Sequence, residues 1–380
     1  MIIIQFSTLK RNALKRIKKM QKKFVDNISN NTKLGYVVNV RSDAFSLGNL
    51  VKEESDMLEQ KGDLTSFRPD IKVVDCTLRD GGLVNNFEFS DDFVRDLYKT
   101  NVAAGIDYME FGYKASKEVF DPKDFGKWKF CNEEDIRAIV GENNTDLKIA
   151  VMADVGRTDL NDIPPKSESV VDLIRVATYI YQIPAAIEMI EDFAKKGYEV
   201  TVNIMAISTA SETELDLALE LLGKSSANVI YLVDSYGSLF PEQMCRLAEK
   251  YLAIGEKYNK SIGIHAHNNQ QLAFANTIQT ASIGISYLDA TVNGMGRGAG
   301  NCCTELLLGF LRNPKYKIAN IFKFIEKHMV PLKKSGVTWG SDIQYIITGQ
   351  ANQHPRAAIA FTAEKRTDYS KFYTEVTAYE

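Results

Sequence analysis

Cysteine and histidine are both scarce in this 380-residue chain. The five cysteines (Cys76, Cys131, Cys245, Cys302 and Cys303) include no CxxC pair. An odd count without a framework excludes a disulfide-stapled fold and reads as a reduced, cytoplasmic protein. The adjacent Cys302 and Cys303 read as small buried side chains near a helix start. An excess of one charge sign is also missing: 46 Lys and Arg stand against 49 Asp and Glu, a net of -3. That excludes a global basic field for nucleic acid. No apolar run approaches the roughly 20 residues a transmembrane helix needs. What remains is an ordinary globular composition, 45% hydrophobic and 25% charged.

Charge is concentrated only near the N-terminus. Lys10–Lys23 carries eight basic residues and no acid, with Leu9, Ala13, Leu14, Ile17, Met20 and Phe24 at helical spacing. This predicts a basic amphipathic helix. Contact with an acidic membrane or RNA is one use for it. A solvated arm or partner-docking helix is the preferred reading. The apolar MIII precedes the charges and no long apolar run follows, so it makes a poor signal peptide. Residues 25–70 show no clear period beyond one helix candidate at Leu50–Leu58.

From Ile71 the pattern turns regular. Eight short apolar runs, at 71–76, 108–111, 147–152, 173–177, 200–206, 229–233, 262–266 and 287–292, alternate with amphipathic stretches. Helices are expected at Ser90–Ala104, Pro184–Lys196, Ser211–Leu222 (ending at Gly223), Pro241–Tyr258 and Gln270–Ser282. The fold expected is an α/β (β/α)8 TIM barrel. It has an N-terminal extension at 1–70, the barrel at 71–312, and a short helical or irregular tail at 313–380 over the barrel mouth. The runner-up, an open doubly wound sheet, would want a nucleotide fingerprint after its first strand, and TLRDGG is not one.

Barrel chemistry gathers where strands end. In IGIHAHNN (262–269), His265 and His267 stand two apart, so on a strand both imidazoles leave the same face. Asp80, after the first strand, adds a carboxylate. Two imidazoles and a carboxylate suit a borderline or hard divalent ion, and Mn²⁺, Mg²⁺, Co²⁺ and Zn²⁺ all remain open. Arg79 offers a fixed cation beside Asp80, and Glu110 is placed to pair with it. A metal and an arginine together hold a carbonyl and stabilise the enolate formed when a C–C bond breaks. The glycine-rich NGMGRGAGN (293–301) follows the eighth strand, where barrels often bind anions.

The ordered set TLRDGG (77–82), MEFG (109–112), VDSYG (233–237), IHAHNN (264–269) and NGMGRGAGN (293–301) resembles the DRE-TIM metallolyases. It looks most like the 4-hydroxy-2-oxovalerate aldolase branch. The 3-hydroxy-3-methylglutaryl-CoA lyases are more distant. The resemblance covers residues 71–312. It implies that Asp80, His265 and His267 hold a divalent metal, Mn²⁺ or Mg²⁺ in first place, with Asn301 near or on it. It implies that Arg79 polarises the substrate carbonyl, that Glu110 supports the arginine, and that a C–C bond of a 2-oxo acid is cleaved or formed through a metal-bound enolate.

Two departures qualify that. The oxovalerate aldolases carry a base histidine three residues beyond the metal-binding aspartate, and here Leu83 stands there. The CoA lyases carry a cysteine in the loop before the matched asparagine, and Asn293–Gly300 has none. A replacement base is sought in TWGSDIQYIITGQANQHPR (338–356), where Tyr345 and His354 are the titratable members, and at the end of the second strand, where Tyr113 and Lys114 lie. The tail after Lys315 is too short for the helical domain with which the resembled aldolases dock a dehydrogenase, so no channelling partner is expected. The partners expected are a small 2-oxo or hydroxy acid and at most a second copy in a homodimer. Alternatives are a Claisen-type acyl-CoA lyase or synthase, and a catalytically silent metabolite-binding barrel.

Overall fold

The computed structural model describes residues 68–311 and 313–378. The helices expected at Lys10–Lys23 and Leu50–Leu58 lie outside the described residues. Among the described residues, eight parallel strands close into a barrel in sequence order. They are β1 (Lys72–Asp75), β2 (Tyr108–Tyr113), β3 (Lys148–Asp154), β4 (Leu173–Tyr179), β5 (Glu199–Met205), β6 (Val229–Asp234), β7 (Ser261–Ala266) and β8 (Tyr287–Ala290). Closure is made by β1 pairing with β8 across Lys72–Tyr287 to Asp75–Ala290. Each run expected from hydrophobic patterning carries a strand, within a few residues at its ends.

The helices show where local signals suffice. Helix α1 (Thr77–Asn85) contains TLRDGG, which the sequence reads as a polar strand-end segment. Two glycines cost about 1 kcal/mol each in a helix interior. Burial of Thr77 to Gly82 overrides that preference. Helix α2 (Asp91–Ala104) keeps its signals: the Ser90 hydroxyl accepts from the Phe93 N–H, and Gly105 closes it in the left-handed region. Helices α3 (Glu133–Val140) and α4 (Ile183–Lys195) follow.

Helix α5 (Glu212–Lys224) starts at the expected Ser211 cap, which Glu214 completes as a capping box, but does not stop at Gly223. Gly223 lies inside the helix, where a Cβ would come within 2.3 Å of the Tyr258 ring. Removing the cap by Ser211→Ala is expected to lower stability by about 1 kcal/mol with no change in turnover. Urea denaturation checks it. Helix α6 (Pro241–Tyr258) has the bounds expected. Helix α7 (Ala273–Ile283) starts three residues late, because Asn268 Oδ1 accepts from the Ala273 N–H and holds the preceding turn open. The β3–β4 connection has short 3-10 turns instead of an α-helix.

After α8 (Thr304–Leu311) the chain runs through α9 (Ile318–Phe324) and, past a π-turn, α10 (Val330–Lys334). It ends in α11 (Ile343–Gln350), α12 (Arg356–Ala363) and α13 (Tyr369–Thr377), which share a small apolar cluster of Ile347, Ala358, Phe361, Phe372 and Val376. The segment 338–356 is bolted across the mouth. Trp339 Nε1 donates to the Asn293 carbonyl, the Gly340 N–H to Gly298, and Asn269 Nδ2 to Tyr345. Asn352 bonds both Ser208 and Ser238. The tail thereby ties together loops that follow β5 to β8. No helix among the described residues is long and apolar enough to cross a membrane.

Candidate metal centre and enolate site

The strand ends deliver their polar groups to one cavity of about 80 Å³. Arg79, Asp80, Leu83, Tyr113, Asn203, Ser235, His265, His267 and Arg297 line it, with Met152, Ala177, Met205 and Val233. A larger cavity, lined by Lys114, Glu133 and Asp162, contains none of these groups.

Ligand atoms of Asp80, His265 and His267 lie within 4.8 Å of one another, all buried. His265 Nε2 is 3.1 Å from Asp80 Oδ2, and His267 Nε2 is 3.6 Å from the same oxygen. The opposite ring nitrogens face acceptors: His265 Nδ1 lies 2.9 Å from Asp289 Oδ2, and His267 Nδ1 lies 3.2 Å from the Asp234 carbonyl. Protons on both Nδ1 atoms satisfy those contacts and turn both Nε2 lone pairs toward a carboxylate. Lone pairs facing a carboxylate need a cation or proton between them. An imidazole whose second nitrogen is so anchored is the usual form of a metal ligand.

Electrostatics agree with a cation at that point. Burial pushes His267 down to about 3, which keeps it neutral and able to coordinate. Burial also acts to lower His265, but hydrogen bonds to Asp289 and Asp80 outweigh it and raise it, favouring a proton on Nε2 toward Asp80 in the place a bound cation would take. Burial would raise Asp80, yet the Arg79 charge and the two histidines hold it well below the carboxylate range. Asn301 bridges to His267 on the neighbouring backbone and gives its Nδ2 to the Met295 carbonyl. Its Oδ1 is buried without a hydrogen-bond partner, a donor of the hard type a divalent ion takes. The residues present fit a divalent metal.

A closed ring of charge surrounds this point. Arg79 Nη1 reaches Asp80 at 3.0 Å, and Arg79 Nε reaches Glu110 Oε2 at 2.8 Å. Arg175 Nη1 reaches the same Glu110 oxygen at 2.9 Å, and its Nη2 reaches Asp289 at 2.5 Å. Asp289 bonds His265, which returns to Asp80. Arg79 and Glu110 therefore pair as the sequence predicts, while Arg175 and Asp289 are new. Their signal lay in plain view: a lone arginine in LIRVATY and a lone aspartate in YLDA, inside runs read only as apolar. A buried charge is costly unless paired, so one in a core strand points to a partner across the barrel.

Tyr345 and His354 take positions beside the glycine-rich loop. The Tyr345 ring packs on Gly298, and Arg297 Nη1 lies 3.2 Å from His354 Nε2. The Arg356 N–H donates to His354 Nδ1, and burial with the Arg297 and Arg356 charges pushes this histidine down to about 4. Neither residue lines the cavity. Leu83, where a base was expected, does. Cys302 is fully buried and Cys303 partly so, ahead of α8.

The closed parallel barrel thus brings two histidines and an aspartate, a donor set that fits a divalent ion, together at its mouth beside an ion-paired arginine. The HMGL-like family profile matches residues 70–325, and the chain belongs to that family. It is 29% identical over 262 residues to the 4-hydroxy-2-oxovalerate aldolase of Bacillus cereus, covering 69% of this chain and 75% of that one. It is 30% identical over 241 residues to the oxaloacetate decarboxylase of Mycobacterium tuberculosis, covering 63% and 69%. The crystallised N-terminal domain of a Bacteroides vulgatus protein superposes with TM-score 0.66 at 28% identity, over 77% of this chain and 97% of that one. The HMG-CoA lyase of Brucella melitensis shares the fold, with TM-score 0.57 at 14% identity, over 69% and 99%.

Proposed function

We propose that this enzyme cleaves or forms a C–C bond of a small 2-oxo acid through its enolate, in the manner of the 4-hydroxy-2-oxovalerate aldolases, with Mn²⁺ or Mg²⁺ as the preferred ion. The observation that carries this reading is Arg79. Glu110 and Asp80 take its Nε and Nη1, while Nη2 has no hydrogen bond among the described residues. That nitrogen is left to serve the oxygen on which charge develops.

Asp80, His265 and His267 would hold the ion, with Asn301 beside them. When bound, it acts as a Lewis acid on the 2-oxo carbonyl. The chain's own groups do the rest. Arg79 fixes the carbonyl and stabilises the enolate oxygen. Arg297, which lines the cavity and leaves its buried Nε unpartnered, holds the substrate carboxylate. Tyr345 and His354 brace the loop that carries Arg297. The apolar wall of Leu83, Met152, Met205 and Val233 limits water around the reacting carbon.

A second reading, β-decarboxylation of a 2-oxo diacid, is favoured by Leu83. Aldol cleavage must take a proton from a hydroxyl, whereas decarboxylation must not, and an apolar side chain stands where the resembled aldolases place their base. The 30% identical relative is named an oxaloacetate decarboxylase. Mn²⁺-loaded protein should turn over 4-hydroxy-2-oxovalerate or oxaloacetate, and chelation should abolish the rate. Pyruvate release assayed with lactate dehydrogenase reads either reaction. Turnover of neither, alongside full metal occupancy, would overturn the proposal.

A further inference from the structure

The cavity contains few groups able to carry a proton. Its ionisable lining residues are Arg79, Asp80, Tyr113, His265, His267 and Arg297. Asp80 and the histidines are committed to the metal, and an arginine does not release its proton near neutrality. Tyr113 remains. It closes β2, lines the cavity, and its hydroxyl has no hydrogen-bond partner among the described residues.

Against the ring of Tyr113 lies Lys129, only 6% exposed. Its Nζ stands 4.4 Å from the Tyr113 ring centroid, 4.1 Å from Phe120, 5.2 Å from Phe87 and 5.6 Å from Phe125. Among the described residues it makes no ion pair and no side-chain hydrogen bond. A lysine in the interior without an acceptor is expensive, and aromatic faces return only part of that cost. The placement is nevertheless rigid. A Cβ on Gly112, next to Tyr113, would sit 1.9 Å from the Trp128 carbonyl, so the turn carrying Lys129 lies flush on β2.

We infer that Tyr113 delivers the proton to the substrate carbon, and that Lys129 is a positioning residue whose charge over the ring stabilises the tyrosinate as it forms. This rests on the enolate reading above. In the step, the C3–C4 bond breaks, the C4 fragment leaves as CO2 from a carboxylate or as an aldehyde whose hydroxyl proton passes to water, and the electron pair stays on C3, delocalised onto the C2 oxygen. Collapse of the enolate then draws the Tyr113 hydroxyl proton onto C3. Water restores the phenol. Burial raises the phenol, which keeps it protonated and a donor at neutral pH. Burial lowers Lys129 to about 8, against the attraction of Asp154, with Arg157 acting in the same lowering sense. The Tyr113 hydroxyl is faced by Arg79, Asp154, Asp80 and Glu110. As pH rises through 8 the cation is lost and the tyrosinate loses its support.

The test uses full-length, Mn²⁺-loaded protein with oxaloacetate and 4-hydroxy-2-oxovalerate, and oxalate as an enolate analogue. Tyr113→Phe should lower kcat by about 10²–10³-fold, the usual value of a positioned proton donor, with KM and oxalate affinity within about threefold. The wild-type kcat should fall above about pH 8. Lys129→Met should flatten that limb at a low rate, and Lys129→Arg should restore the rate and move the limb to higher pH. Tyr113→Phe retaining half of kcat, or an unmoved limb in Lys129→Met, overturns the inference while the enolate reading stands. Wild-type protein that neither binds oxalate nor turns over either substrate overturns both.

Discussion

His267→Ala should empty the proposed metal site and lower kcat by about 10³-fold or more, while the barrel keeps its fold. The size follows from lost Lewis-acid stabilisation, worth several kcal/mol at a developing oxyanion. The fold survives because His267 is loosely tied. Its hydrogen-bond contact is one of 3.2 Å to a backbone carbonyl, and its approach to Asp80 is 3.6 Å. Asp80→Ala should be equally inactive but less stable, since it strips both Arg79 and His265 of a buried partner. Metal binding links to stability, so an ion at 100 times its Kd should stabilise wild-type protein by about 2.7 kcal/mol. The Tm of His267→Ala should not respond. Atomic absorption for occupancy and a melting curve with and without Mn²⁺ check both halves. One ion retained per His267→Ala chain would remove this histidine from the ligand set.

Arg175→Met is the second large effect, and it falls on stability as much as rate. Arg175 is wholly buried and bonds two carboxylates, Glu110 and Asp289, at 2.9 and 2.5 Å. Removing one partner from a buried ionic set costs about 3–5 kcal/mol, because the other charges stay uncompensated. At roughly 2–3 °C per kcal/mol for a large domain, Tm should fall by about 6–15 °C. Glu110 would lose one of two cations and Arg79 its fixed fork, so kcat should fall further than KM rises. Replacing Asp289 by asparagine as well should recover part of the lost stability, since it removes one of the stranded charges. A double-mutant cycle measures this directly. Additive losses would mean that the ring does not act as a unit.

Legibility differed by the kind of signal. The strands announced themselves because interior parallel strands are near-continuous apolar runs. Ser90 with Gly105 marked a helix start and stop, and Ser211 a start, by local hydrogen bonding that needs no tertiary context. TLRDGG did not announce a helix, because its two glycines oppose one and only packing reverses the balance. Asp80, Arg79, Glu110, His265 and His267 were legible as strand-end polar groups, and the barrel brings them together. Arg175 and Asp289 lie deeper, and their meaning depends on β4 and β8 facing each other across a closed sheet. Tyr113 was legible at the end of the second strand, but Lys129 needed more still: a turn from outside the strands folded onto β2. The tail could be expected over the mouth, but its bonds to the strand-end loops depend on tertiary contact that no local pattern encodes.

Every role proposed for these residues requires the barrel to stabilise the enolate of a 2-oxo acid. Proton NMR of pyruvate and 2-oxobutyrate in deuterated water measures that without naming the cleaved substrate. Mn²⁺-loaded protein, quenched with chelator before each spectrum, should exchange the C3 protons for deuterium well above the buffer rate. The exchange should vanish in metal-free protein and in Arg79→Met. Exchange no faster than buffer, or equally fast in Arg79→Met, would contradict the account.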